Sequence, residues 1–265
     1  MCWVGLRGAG CQSACGPLIS IGMDERKRYG RAPISQALID VQVAVGKPLD
    51  MARLAALPPE IAVNFQQLTP LFIGNAFLDM QTGQPPRFDA HQVGYAMQGR
   101  ENHRFGLQTR GDGLTVSRME PYEKWENLRD EFNRIWDWYK GVVEPNGITR
   151  LAVRYVNIID LPLPFGDFRE YLRTTPEVGS GLPAGLSGFA MQLQIPQLDL
   201  PGMIIFNEAL VSPRKPNVAS VIVDIDVFQT QGIPMAFGDR LEVLHNIENG
   251  FFEGSITDKF RELIK

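Results

Sequence analysis

Residues 37–45, ALIDVQVAV, set Ile39, Val41, Val43 and Val45 on one side and Leu38, Asp40, Gln42 and Ala44 on the other. Period-two alternation in Val/Ile-rich sequence predicts a β-strand. Pro48 and Asp50 then open a helical stretch over 50–68, with a break expected at Pro58-Pro59. After the loop TGQPPRFD, strands are expected over 92–99 and 103–110. The RGDG segment at 110–113 supplies a hairpin turn into the return strand LTVSRM at 114–119, because Asp-Gly tolerates positive φ.

Pro121 begins the most strongly patterned helix, in which Trp125, Leu128, Phe132, Ile135, Trp136 and Tyr139 recur at three- and four-residue spacing. Such a stripe reads as the packing face of a helix lying on a sheet. The order then repeats: a strand TRLAVRYVNIID (149–160), a helix over 167–175, and the loop GSGLPAGLSG. Strands at 187–196, 202–210 and 218–228 follow, then a helix over 237–249 and a second helical piece over 256–264. Strand–helix–three strands–helix, read twice, predicts a duplicated α+β fold: a mostly antiparallel sheet with helices on one face. The halves are expected at 31–145 and 146–265, meeting at VEPNGI and packed intimately because that boundary is short.

Comparing the strands by face brings out candidate chemistry. Asp40 and Gln42 lie opposite the aliphatic row of the first strand. In VIVDIDV, Asp224 and Asp226 lie opposite Val221, Val223, Ile225 and Val227. In the strand at 149–160, Arg154 opposes the row Leu151, Val153, Tyr155 and Ile159. Arg154, Asp40, Asp224 and Asp226 are therefore expected to converge on the uncovered face. A ladder of Arg–Asp pairs is one outcome, and a ligand or partner surface another. The D-x-D spacing, roughly 6–7 Å between alternate strand residues, also suits Mg²⁺ or Mn²⁺ held by Asp224 and Asp226. Asn157 shares parity with the aliphatic row, so it is either buried with a backbone partner or turned onto the Arg154 side by a bulge.

A net charge of −4 argues against a general nucleic-acid binder, which usually carries a basic excess. Cys2, Cys11 and Cys15 all fall in the first fifteen residues, so the body of the chain has neither a disulfide framework nor a thiol nucleophile. Residues 1–22 read as a disordered extension of an over-long start, with Met23 as the natural beginning and the fold starting after residue 30. No run of eighteen apolar residues exists, so no membrane span is expected and the expected compartment is the cytoplasm. His91, His103 and His245 are scattered, no Gly-x-Ser-x-Gly elbow occurs, and GSGLPAGLSG lacks a phosphate-loop lysine. Arg100, Arg104, Arg110 and Arg118 cluster in sequence around one hairpin. No cofactor is implied.

Pro33-Ile34, Pro121-Tyr122 with Trp125, Arg154-Tyr155 with Asn157, and Phe252 with Ile256-Thr257-Asp258 together resemble a family of uncharacterised, sporadically distributed bacterial proteins. The resemblance covers roughly residues 32–262 and not the first 22. Its patchy distribution implies an accessory role such as bacterial defence or a toxin–antitoxin neighbourhood, and it carries over no catalytic residue. The leading expectation is a non-enzymatic binding module with a protein partner or self-association. The alternatives are a metal-dependent enzyme acting on phosphoesters or nucleotides through Asp224 and Asp226, with Arg154 holding an anion, and a small-ligand carrier with a cleft between the halves walled by Trp136, Trp138 or Phe189.

Overall fold

In the computed structural model, residues 29–77, 87–100, 104–182, 185–197 and 200–265 are described. The cysteine-containing extension and His103 lie outside them. Nine strands form one sheet: β1 (Ile34–Ala44), β2 (Phe65–Phe77), β3 (Arg87–Gly99), β4 (Phe105–Arg110), β5 (Gly113–Met119), β6 (Gly147–Pro162), β7 (Ala190–Gln197), β8 (Gly202–Val211) and β9 (Val218–Gln229). Their spatial order is β2-β3-β4-β5-β1-β6-β9-β8-β7. Every neighbouring pair is antiparallel. The helices are α1 (Ala52–Ala55), α2 (Pro59–Ala62), α3 (Trp125–Val143), α4 (Gly238–Ser255) and α5 (Asp258–Ile264). The α+β class and the antiparallel sheet follow the sequence pattern.

The first and second parts of the chain meet strand against strand. β1 pairs with β6 at the centre of the sheet, with Asp40 opposite Ala152 and Leu38 opposite Arg154. β1 continues outward to β5, β4 and β3, and β6 to β9, β8 and β7. β2 adds a strand on the first side that has no equivalent on the second among the described residues.

One face of this sheet carries the core. Leu151, Val153 and Ile159 are fully buried and Tyr155 nearly so, and Tyr155 touches His245 of α4. α3 lies over β1 and β5, and α4 over β6 and β9. The predicted stripe of α3 is all buried, and Phe132 and Trp136 pack against Phe237 at the start of α4. Burying each such large side chain contributes about 1.5–3 kcal/mol. Trp136 is thus a core residue.

Two expectations for local structure are corrected. The helix expected over 50–68 is two single turns, because Pro58 and Pro59 cannot donate the hydrogen bonds that would join them. The chain then becomes β2 from Phe65 onward, although FQQLTPLFIGNAF alternates poorly. The helix expected over 167–175 is one 3-10 turn, Phe168–Glu170, closed by a capping box between Asp167 and Glu170. It stops there because Leu172 bridges to Ile256. No described helix is long and apolar enough to cross a membrane.

Candidate functional site

The four charged residues singled out on the strands do share the face opposite α3 and α4. They form a ladder across the sheet. Arg150 leans one rung along β6, placing its guanidinium over the Phe228 ring (4.5 Å to the centroid). From there it donates to Asp40 Oδ2 (3.1 Å) and Asp226 Oδ2 (2.6 Å). Arg154 is the register partner of Asp226 but leans the same way, reaching Asp224. It binds that carboxylate through Nε (2.7 Å) and Nη2 (2.6 Å).

The ladder continues outward on both sides. Asp40 Oδ1 accepts from the Thr115 hydroxyl (2.6 Å) and Arg110 Nη2 (2.8 Å). Asp224 also accepts from Asn207 Nδ2 (3.1 Å), and Asn207 Oδ1 from Gln192 Nε2 (2.8 Å). Six strands from β4 to β8 and the edge strand β7 are thereby linked through side chains. The carboxyl of Asp226 is nevertheless raised above its ordinary range, because burial outweighs the opposing pull of Arg150 and Arg154.

This geometry occupies the carboxylates that a metal would need. The positive charge between Asp40 and Asp226 is the Arg150 guanidinium, and Asp224 is held in a bidentate fork by Arg154. Among the described residues no group of three or more His, Cys, Asp or Glu side chains is placed to hold a metal ion.

Asn157 is on the other face. The β6–β9 register runs without interruption from Leu151 to Pro162, so no bulge brings Asn157 beside Arg154. The irregularity lies in the facing strand, where Ser35 is the extra residue between Ile34 and Gln36 and donates to the Val156 carbonyl (3.0 Å). Asn157 is buried and donates from Nδ2 to the Val223 carbonyl (3.2 Å).

Beneath α4 lies a second polar cluster that the sequence pattern did not reveal. The hydroxyls of Tyr122 and Tyr155 are 2.8 Å apart, the Tyr155 hydroxyl is 3.3 Å from His245 Nδ1, and His245 Nε2 is 3.1 Å from Asn249 Nδ2. Trp125 stacks on the His245 ring at 4.2 Å and donates from Nε1 to Glu242 (2.8 Å). Glu248, one turn beyond His245, is buried, and its carboxyl is pushed well above the ordinary range by that burial. Burial likewise raises both tyrosines far above neutral pH, so they serve as hydrogen-bonding phenols and not as phenolate bases. Tyr122, Trp125, Tyr155 and Asn157, all members of the motifs noted in the sequence, gather on this side of the sheet. Ile256 and Thr257, from the last motif, tie α5 to the 3-10 turn through the Leu172 bridge and a bond to the Glu170 carbonyl (2.7 Å).

A third feature is Glu208 of β8. It faces the helices, is 1% exposed, and neither carboxylate oxygen has a hydrogen-bond partner. Its register neighbours are Val223 and Met191. Burial lifts its carboxyl to about 8, so it is protonated at neutral pH.

The arginines near the first hairpin do not form one patch. Arg110 joins the ladder, whereas Arg118 is buried on the helix side against Phe105 and paired with Glu123 (3.2 Å). Arg104 donates to the Glu120 carbonyl (3.2 Å) at the surface. Comparison with protein-family models, curated proteins and solved structures gives no match.

Proposed function

We propose that this protein is a non-enzymatic protein-interaction module that docks a partner on the open face of its sheet. The observation that carries the reading is the composition of that face. Leu38, Val156, Ile158, Ile205 and Ile222 are all partly exposed there, and they surround the paired ladder of Arg150, Arg154, Asp40, Asp224 and Asp226. Apolar side chains among charges that already have partners form a surface that can be desolvated without stranding a charge. Arg154, 41% exposed, still offers part of its guanidinium to a partner. The phenols beneath α4 and the protonated Glu208 supply neither a base nor a nucleophile, which favours binding over catalysis.

Two further parts of the reading stand with it. The two sides of the sheet arose by duplication, in keeping with the flanking orders β5-β4-β3 and β9-β8-β7, with β2 an addition to the first. The protein is a cytoplasmic member of the sporadically distributed bacterial family that its motifs resemble, with an accessory role such as defence.

The test places a photo-crosslinking amino acid at Gln108 and Gln194, exposed at opposite sides of the open face, and at Val243 on the exposed side of α4. Cross-linked protein adducts in the source cell at Gln108 and Gln194, with none at Val243, are expected. Adducts only at Val243, or none at any site, would overturn the assignment of the face.

A further inference from the structure

The ribbon formed by β2 and β3 runs past the end of the sheet. β3 is flanked by β4 only from Gly94 to Gln98, whereas β2–β3 pairing continues from Phe72–Gln92 to Phe77–Arg87. Those last rungs form a two-stranded overhang about 20 Å long. It departs at Gly94, where a Cβ would run into the Thr109 carbonyl, so only glycine lets the strands cross so closely. Two-stranded ribbons are marginal in water when nothing covers them. On this one Phe72 is 62% exposed and Ile73, adjacent and so facing the opposite way, is 53% exposed.

β2 is also the terminal strand of the sheet, and among the described residues no other strand faces its outer backbone groups. Edge strands are ordinarily protected from pairing by charged side chains. The thirteen residues FQQLTPLFIGNAF contain none. The one protective residue, Pro70, sits at the base, and Leu71 to Phe77 contain no further proline.

We propose that this overhang is a self-association arm, in which Leu71–Phe77 of β2 pairs antiparallel with the same segment of a second copy about a twofold axis. An uncharged strand meets its own copy without like-charge repulsion, and it offers nothing for a highly charged partner to recognise. Two such overhangs would bury on the order of 1,000 Å², the lower range for a specific interface. The surface is separate from the open sheet face, so it goes beyond the docking reading and stands or falls independently.

The test uses the full chain in sedimentation velocity across micromolar to submillimolar concentration. A dimer is expected, and Phe72→Lys/Ile73→Lys should weaken it by at least about tenfold while leaving the circular dichroism of the wild type. Both side chains are already solvated in one copy, so the substitutions spare the monomer fold. Phe72→Pro, which shares the outward parity of Pro70 and so removes a donor from the free edge without adding charge, should also weaken the dimer. Gln194→Lys on the open face should leave it intact. A monomer at every concentration, or a dimer indifferent to both arm variants, would overturn the proposal. A dimer lost only in Gln194→Lys would do so too and would assign self-association to the open face.

Discussion

Arg154 and Asp224 are joined by two parallel hydrogen bonds of 2.7 and 2.6 Å, made one rung away from the cross-strand partner that the register gives Arg154. The fork fixes both the charge and the orientation of a carboxylate that is itself 8% exposed. Arg154→Ala would leave Asp224 with Asn207 as its remaining side-chain donor. We expect a loss of about 2–3 kcal/mol in chemical denaturation, below the full cost of breaking a buried pair because Arg154 is partly solvated. Arg154→Lys should recover less than half, since an ammonium cannot reproduce the planar fork. An Arg154→Ala variant as stable as the wild type would show that the pair is ornamental.

Arg150 occupies the position between Asp40 and Asp226 that a divalent cation would need. Millimolar Mg²⁺ or Mn²⁺ is therefore expected to leave the melting temperature of the wild type unchanged in differential scanning fluorimetry. Arg150→Met, which keeps the stem over Phe228 and removes the charge, should lower stability by about 2–3 kcal/mol. A cation-dependent rise in the wild type, abolished by Asp224→Ala, would revive metal chemistry at the D-x-D pair.

The ladder was legible in the sequence because strand alternation is strict. Each of Asp40, Arg154, Asp224 and Asp226 sits opposite a largely apolar row, and that parity alone sets the face. What parity cannot give is the lean of an arginine along its strand, so the pairing of Arg154 with Asp224 and the bridging role of Arg150 needed coordinates. The face of Asn157 is ambiguous in the sequence for a related reason: it depends on the absence of a bulge in β6, and the irregularity beside it falls in β1 at Ser35, which parity along β6 cannot register. The Tyr122–Tyr155–His245 cluster joins a loop, a strand and a helix whose separation in sequence carries no pattern. β2 has no strand signature in the sequence because Pro70 and two glutamines interrupt its alternation, and an overhanging edge has no buried face to impose one.

Tyr155 is the hub of the polar cluster beneath α4, with Tyr122 on one side and His245 on the other. Tyr155→Phe keeps the ring in the core and deletes both bonds. It should cost about 1–3 kcal/mol, as expected when buried polar partners are stranded. Tyr122→Phe should cost less, because it leaves the Tyr155–His245 contact in place. Equal effects of the two variants in urea denaturation would mean that the hydroxyls act independently and not as a connected chain.

Glu208 makes stability fall as pH rises. Its folded carboxyl titrates at about 8, from an ordinary value of 4.5, and the cause is burial. The native state therefore holds a proton that the unfolded chain releases, so stability is greatest below the ordinary value and is lost progressively as pH climbs toward 8. At neutral pH the loss relative to acid amounts to about 3 kcal/mol. Glu248, raised in the same direction by burial, adds to the slope. Glu208→Leu fits the apolar frame of Val223 and Met191 and removes the ionisable group. Its advantage over the wild type should widen by about 3 kcal/mol between pH 5 and pH 8 in guanidinium denaturation. Glu208→Gln, which keeps the shape of the protonated acid, should flatten the pH dependence without the same gain at pH 5. Parallel pH profiles for wild type and Glu208→Leu would mean that the carboxyl reaches water or an unrecognised cation when it ionises.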